Sequence, residues 1–206
     1  MTTYRRPTQT QRSETVELNS RFITTVSRAD TPEEARSFIR QIREEMPDAS
    51  HHVYAFRSGY GNSVIEGASD DGEPSGTSGP PTLAVLRGSD IGDIVLVTTR
   101  YFGGTKLGTG GLVRAYTVAA QVAIENLFTE IKAPKIQIGM DLPYGMYEPV
   151  KRILIEHEAT IDDEVFTSNV TIIATILAQH INPLTDRLTD STSGQIELVE
   201  LQTIDS

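Results

Sequence analysis

The sequence predicts an α/β protein of two domains, and three observations carry that reading. Runs rich in β-branched residues, such as DIVLVTTRYF, alternate with stretches of helical period that bear recognisable caps. The charge is unevenly divided: residues 1–133 hold 14 Lys and Arg against 16 Asp and Glu, whereas residues 134–206 hold 4 against 12. Between the two parts the stretch IKAPKI breaks the pattern. Residues 1–13 therefore read as a flexible tail, 14–132 as a first domain and 135–206 as a second. At 206 residues the chain is long enough to bury two hydrophobic cores.

In the first domain, ETVELNSRFITTVSR alternates as a strand does. DTPEEARSFIRQIREEMP carries the signals of a helix: Thr31 can cap it, Pro32 suits its first position, and Glu34 completes a capping box. Ala35, Phe38, Ile39 and Ile42 form its apolar stripe, and Pro47 ends it. HHVYAFR is a second strand. SVIEGASDDGEPSGTSGPP begins as a strand and breaks into a loop of Gly, Ser and Pro. TLAVLRG is a short helix and DIVLVTTRYF a central strand. After a glycine-rich turn, LVRAYTVAAQVAIENLF reads as a longer helix.

The second domain runs strand (Ile136–Leu142), helix (Tyr147–His157), strand (Thr160–Phe166), strand (Val170–Leu177), helix (Pro183–Thr192) and strand (Gln195–Leu201). Pro183 after Asn182 starts the second of these helices and Gly194 stops it. The order βαββαβ is that of a ferredoxin-like domain.

Composition removes several classes of function. No apolar run is long enough to span a membrane. The polar start MTTYRRPTQTQRSE lacks the apolar segment of a signal peptide, so the expected location is the cytoplasm. With no cysteine, disulfides, thiol catalysis and cysteine-ligated metals are excluded. The four histidines, His51, His52, His157 and His180, form no metal-binding pattern, and neither metal nor cofactor is expected.

Two stretches stand out. RYFGGTKLGTGGLVRAY lies within a span, Ile94 to Ile124, that contains no acid, in a chain whose formal net charge is -10. It fails the Walker pattern, because Thr109 stands where lysine is required, and it fails the dinucleotide fingerprint at Val113. What remains is a helix start rich in free backbone N–H groups, with Gly103, Gly104, Gly108, Gly110 and Gly111 allowing close approach and Arg100, Lys106 and Arg114 adding charge. Such a turn can bind an anion or nucleic-acid phosphate, or its glycines can serve backbone geometry alone. The second candidate is the acid loop SDDGEP and its surroundings: His52, Asp70, Asp71, Glu73 and Thr77. These carboxylates could bind Mg²⁺ or act as an acid–base pair, although the spacing is not that of a calcium loop. Alternatively they hydrogen-bond their own turn and pair with the cations near Arg100 or Lys106. His51 and His52 point to opposite sides of a strand, and the inward one reads as structural.

SRFIT, ASHHVYAFR, SDDGEPSGTSGPP and VTTRYFGGTKLGTGGLVRAY follow one another in the order found in the IMPACT/YigZ family, which this chain resembles in its bacterial, YigZ-type layout. The resemblance implies a first domain of the ribosomal-protein-like βαβ fold, similar to domain IV of elongation factor G, followed by one similar to domain V. Eukaryotic members regulate translation, and the resemblance implies for bacterial members an RNA, ribosome or translation-factor partner. The expectation is thus a translation-associated regulatory protein, more a binding module than an enzyme, that meets RNA or a ribosomal surface through its basic glycine-rich face. The rival is an enzyme acting on a small phosphorylated or nucleotide-like ligand with the acid loop. Oligomeric state is not legible.

Overall fold

The computed structural model of the chain describes residues 3–204. It divides into two compact units, one spanning Tyr4–Ile131 and the other holding the chain from Lys132 onward. The first unit contains β1 (Tyr4–Pro7), β2 (Gln11–Glu17), β3 (Ser20–Arg28), α1 (Pro32–Glu45), β4 (His51–Ser58), β5 (Ile65–Ser69), α2 (Gly79–Gly88), β6 (Ile94–Tyr101) and α3 (Gly108–Glu125), and it ends in β7 (Thr129–Lys132).

Its main sheet has the order β2-β3-β6-β4-β5, and every neighbouring pair is antiparallel. The β-branched run of the sequence, β6, sits in the middle, with its first seven residues buried. Because side chains alternate along a strand, the sheet has two apolar faces. On one, Ala35, Ile39 and Ile42 of α1 pack on Phe56, Val95 and Val97. On the other, Leu86 of α2 and Ala120 and Ala123 of α3 pack on Val26, Ala55 and Leu96. The small alanines let α3 lie close to the sheet. At its N-terminal half Tyr116 is fully buried beside Phe22 and Val53.

α1 begins as its sequence dictates. Thr31 accepts a hydrogen bond from the Glu34 N–H at 3.2 Å, while the Glu34 carboxylate accepts the Asp30 N–H at 2.8 Å.

The first unit departs from its sequence pattern in two places. The single strand expected over residues 14–28 is a hairpin of β2 and β3, which turns tightly at Leu18 and Asn19, both left-handed with φ of 44° and 63°. Leucine at such a position costs backbone strain, so the pair gave no turn signal. The flexible tail expected over residues 1–13 is instead mostly strand, apart from residues 1 and 2, which lie outside the described residues. Its polar sequence has no apolar alternation, and side chains far away in sequence hold it: Tyr4 stacks on Tyr60 at 4.9 Å and donates to Asp93 at 2.6 Å, while Arg6 pairs with Glu130 at 2.7 Å. β1 and β7 form a two-stranded sheet of their own.

The second unit contains β8 (Lys135–Leu142), α4 (Tyr147–Glu156), β9 (Thr160–Phe166), β10 (Val170–Leu177), α5 (Ile181–Thr192) and β11 (Val199–Ile204). The sheet order β11-β8-β10-β9, antiparallel throughout, is that of the ferredoxin-like βαββαβ fold. Ile138, Met140, Leu142, Ile172 and Ile176 turn one face to Val150, Leu154, Leu184 and Leu188 of the two helices. The last strand begins later than its sequence suggests. Ser193 and Gly194 end α5 in left-handed conformations, and Ile196 is drawn into the core before the strand starts. No helix among the described residues is long and apolar enough to cross a membrane.

Candidate functional site

The acid loop lies between β5 and α2, and the glycine-rich stretch between β6 and α3. The sheet brings the two together at the end of β6. Glu73 and Pro74 from the first, and Arg100, Phe102, Lys106, Leu107, Gly108, Thr109 and Leu112 from the second, line a pocket of about 320 Å³.

The buried wall of the pocket is an ion pair. Arg100 and Glu73 are 5% and 8% exposed, and Arg100 Nη1 donates to Glu73 Oε1 at 2.6 Å. The same oxygen accepts the Tyr116 hydroxyl at 2.7 Å, and Arg100 Nη2 donates to Ser20 Oγ at 3.3 Å. The guanidinium lies 5.5 Å from the Phe22 ring centre and 5.7 Å from that of Phe102. Its Nε is buried without a hydrogen-bond partner among the described residues. Burial, together with the facing Glu73 carboxylate, pushes the Tyr116 phenol far above its usual value, so it stays a donor.

The other two acids serve the loop. Burial opposes ionisation of Asp70, but hydrogen bonds from the backbone of Gly76, Ser78 and Gly79 and from the Ser78 hydroxyl outweigh it and hold its carboxyl below the usual aspartate value. Asp70 thereby caps the start of α2 from a distance. Asp71, left-handed at φ 47°, takes the Arg43 guanidinium on one oxygen and the His52 N–H on the other at 2.6 Å. Pairing of Asp70 or Asp71 with Arg100 or Lys106 is thus not found. Arg43 reaches the loop first from α1, and Glu73 alone meets Arg100. Thr77 closes the loop on itself by donating to the Pro74 carbonyl at 2.6 Å.

His52 is the inward histidine, 7% exposed, with Nδ1 3.1 Å from Thr99 Oγ1. Burial, reinforced by the Arg43 charge, lowers its pKa below the usual histidine value. The unfolded chain then takes up the proton first as pH falls, so stability present above about pH 6.5 is lost on acidification toward the folded pKa. We expect the melting temperature to fall between pH 7.5 and 5.5, and to fall less in His52→Gln. Parallel falls in the two proteins would remove His52 as the cause.

The glycines divide by role. Gly103 is pressed on the β2–β3 turn, where an added Cβ would lie 2.1 Å from the carbonyl carbon of Asn19. Gly104 and Gly108 are left-handed, at φ 88° and 73°. Gly111 faces Leu107, and Gly110 faces open space. Of the five, only Gly108 lines the pocket.

α3 starts there without a side-chain cap and with no acid in its first turn. Its first N–H groups have no partner within the helix, and its dipole is uncompensated. Lys106 stands at the pocket and Arg114 outside it, nearly two turns into the helix. Every other Lys or Arg of residues 4–131 holds an ion pair or side-chain hydrogen bond; among the described residues these two hold neither. Phe102, half exposed, also lines the pocket. Its position just beyond the strand and before two glycines frees it to turn outward. Sequence reading missed Tyr116, Ser20 and Arg43 as partners of the acids, since each comes from a distant element.

The model of the Impact N-terminal domain matches residues 18–124, which include the whole pocket, and a model described only as a domain of unknown function matches residues 140–195. The chain is 38% identical over 185 residues to an IMPACT family member of Haemophilus influenzae, covering 88% of this chain and 90% of that protein. It is 35% identical over 184 residues to the IMPACT family member YigZ of Escherichia coli, covering 89% of this chain and 90% of that one. A crystal structure of a hypothetical protein, 33% identical, superposes with a TM-score of 0.66 over 98% of both chains.

Proposed function

The chain belongs to the IMPACT family, and from that premise we propose that it is a translation-associated regulator that binds RNA, free or on the ribosomal surface, at the start of α3. The observation that carries this reading is the uncapped, acid-free helix N-terminus beside the unpaired Lys106, in a pocket whose other cation, Arg100, is already neutralised by Glu73. A phosphate there meets backbone N–H groups, the helix dipole and an ammonium together. Phe102, which lines the pocket and is 50% exposed, offers a ring on which a neighbouring base can stack.

The contact is local. A net charge of -10 opposes tracking along an extended phosphate backbone, so few phosphates are engaged. The rival reading, an enzyme that works with the acid loop on a small phosphorylated ligand, needs a free carboxylate. Asp70, Asp71 and Glu73 are each held by the protein's own donors.

Fluorescence anisotropy with a labelled RNA hairpin, and ribosome co-sedimentation, test the proposal at two salt concentrations. Two or three phosphate contacts give a log–log salt slope of roughly -2 to -3. Lys106→Glu is expected to weaken binding at least about tenfold and to flatten the slope, with an unchanged melting curve. Absence of association with both hairpin and ribosome at low salt would overturn the reading. Thermal stabilisation by a mononucleotide without RNA binding would favour the rival.

A further inference from the structure

The outward side of α2 and α3 is unlike the rest of the first unit's surface. Between the two helices runs an open groove of about 630 Å³ whose walls are Ala84, Val85 and Gly88 on α2 and Val113, Thr117 and Ile124 on α3. Val113 and Val118 are 39% and 42% exposed, and no charge interrupts α3 between Arg114 and Glu125. Arg87 beside the groove is already tied to Glu66 at 2.7 Å.

The charges at the two ends say what covers this face. Arg114 and Glu125 are both exposed, and neither holds an ion pair or side-chain hydrogen bond among the described residues. They lie on the same side of α3, eleven positions apart, which is about three turns and about 16 Å of helix. One cation at the beginning of an apolar seam and one anion at its end form a surface complementary to its own copy turned end to end.

We propose that the outer face of α2 and α3 is the interface of a two-fold homodimer, in which α3 packs antiparallel on α3 of a second copy. With the axis crossing the outer face of α3 midway between Thr117 and Gln121, Thr117 faces Gln121 of the other copy, Val113 approaches its Ile124, and Arg114 meets its Glu125. Symmetry makes each of these contacts twice, as an isologous interface requires. The interface is independent of the pocket, since none of the groove's residues lines it.

Sedimentation velocity of the full chain over roughly 1–200 µM tests this, and a charge swap identifies the interface. The wild-type mass is expected to climb from 22.6 kDa toward twice that value. Arg114→Glu and Glu125→Arg each place two like-charge contacts in the dimer and should each weaken association at least about tenfold, a cost of about 1.4 kcal/mol or more. The double variant restores opposite charges with their positions exchanged and should dimerise within about threefold of wild type. Circular dichroism melts show that each variant is folded. A wild-type chain that stays monomeric at the highest concentration overturns the proposal. So does a dimer that survives both single changes, or a double variant that fails to recover.

Discussion

Gly103→Ala is expected to abolish cooperative folding of the first unit, or to destabilise it by more than about 4 kcal/mol. A Cβ on Gly103 would stand 2.1 Å from the carbonyl carbon of Asn19, 2.3 Å from its oxygen and 2.4 Å from the nitrogen of Ser20. All three are backbone atoms, so no rotamer change can make room. The strand end after β6 would have to lift from the β2–β3 turn, breaking the bond from the Gly103 N–H to Ser20 Oγ at 3.2 Å and exposing the buried Arg100 beneath it. Gly110→Ala is the control from the same stretch: its added methyl enters open space inside a helix, where the exchange stabilises by about 0.5–1 kcal/mol. Urea unfolding followed by circular dichroism separates the two. If Gly103→Ala unfolds at the wild-type urea concentration, the close approach does not hold the turn.

The second large effect is expected from Glu73→Gln. The change keeps the side chain's size and removes its charge, leaving the Arg100 guanidinium buried and uncompensated between Phe22 and Phe102. Breaking one side of a buried pair costs about 3–5 kcal/mol. Removing both charges is less harmful, because the remaining cost is that of packing. Glu73→Leu with Arg100→Met should therefore recover a large part of the lost stability. A double variant no more stable than Glu73→Gln would mean that the pair's geometry, and not the orphaned charge, sets the cost. Both variants also report on the pocket, because its inner wall is this pair.

What could be read from the sequence follows from how local each determinant is. The start of α1 was legible because Thr31, Pro32 and Glu34 settle it among themselves. The central place of β6 was legible because a strand buried on both faces needs an unbroken β-branched run. β1 was not, since nothing in YRRP favours a strand until Tyr60, Asp93 and Glu130 arrive to hold it. The site was half legible. Its acid and basic loops are conspicuous in composition, but composition cannot say that Glu73 rather than Asp70 or Asp71 reaches Arg100. That choice depends on Arg43, which α1 brings from another part of the chain to occupy Asp71. The five glycines looked alike in sequence and separate only by what each faces, a backbone at Gly103 and solvent at Gly110.

The pairing of β1 with β7 also sets a timetable. Arg5 and Arg6 reach Thr129 and Glu130, partners 124 positions later in the chain. A ribosome adding about 5–20 residues per second makes those partners roughly 6–25 s after the residues that need them. During that interval β1 has no β7 to pair with, and for most of it the five-stranded sheet is still missing β6. The two-stranded sheet of the first unit can therefore close only after the five-stranded sheet has all its strands.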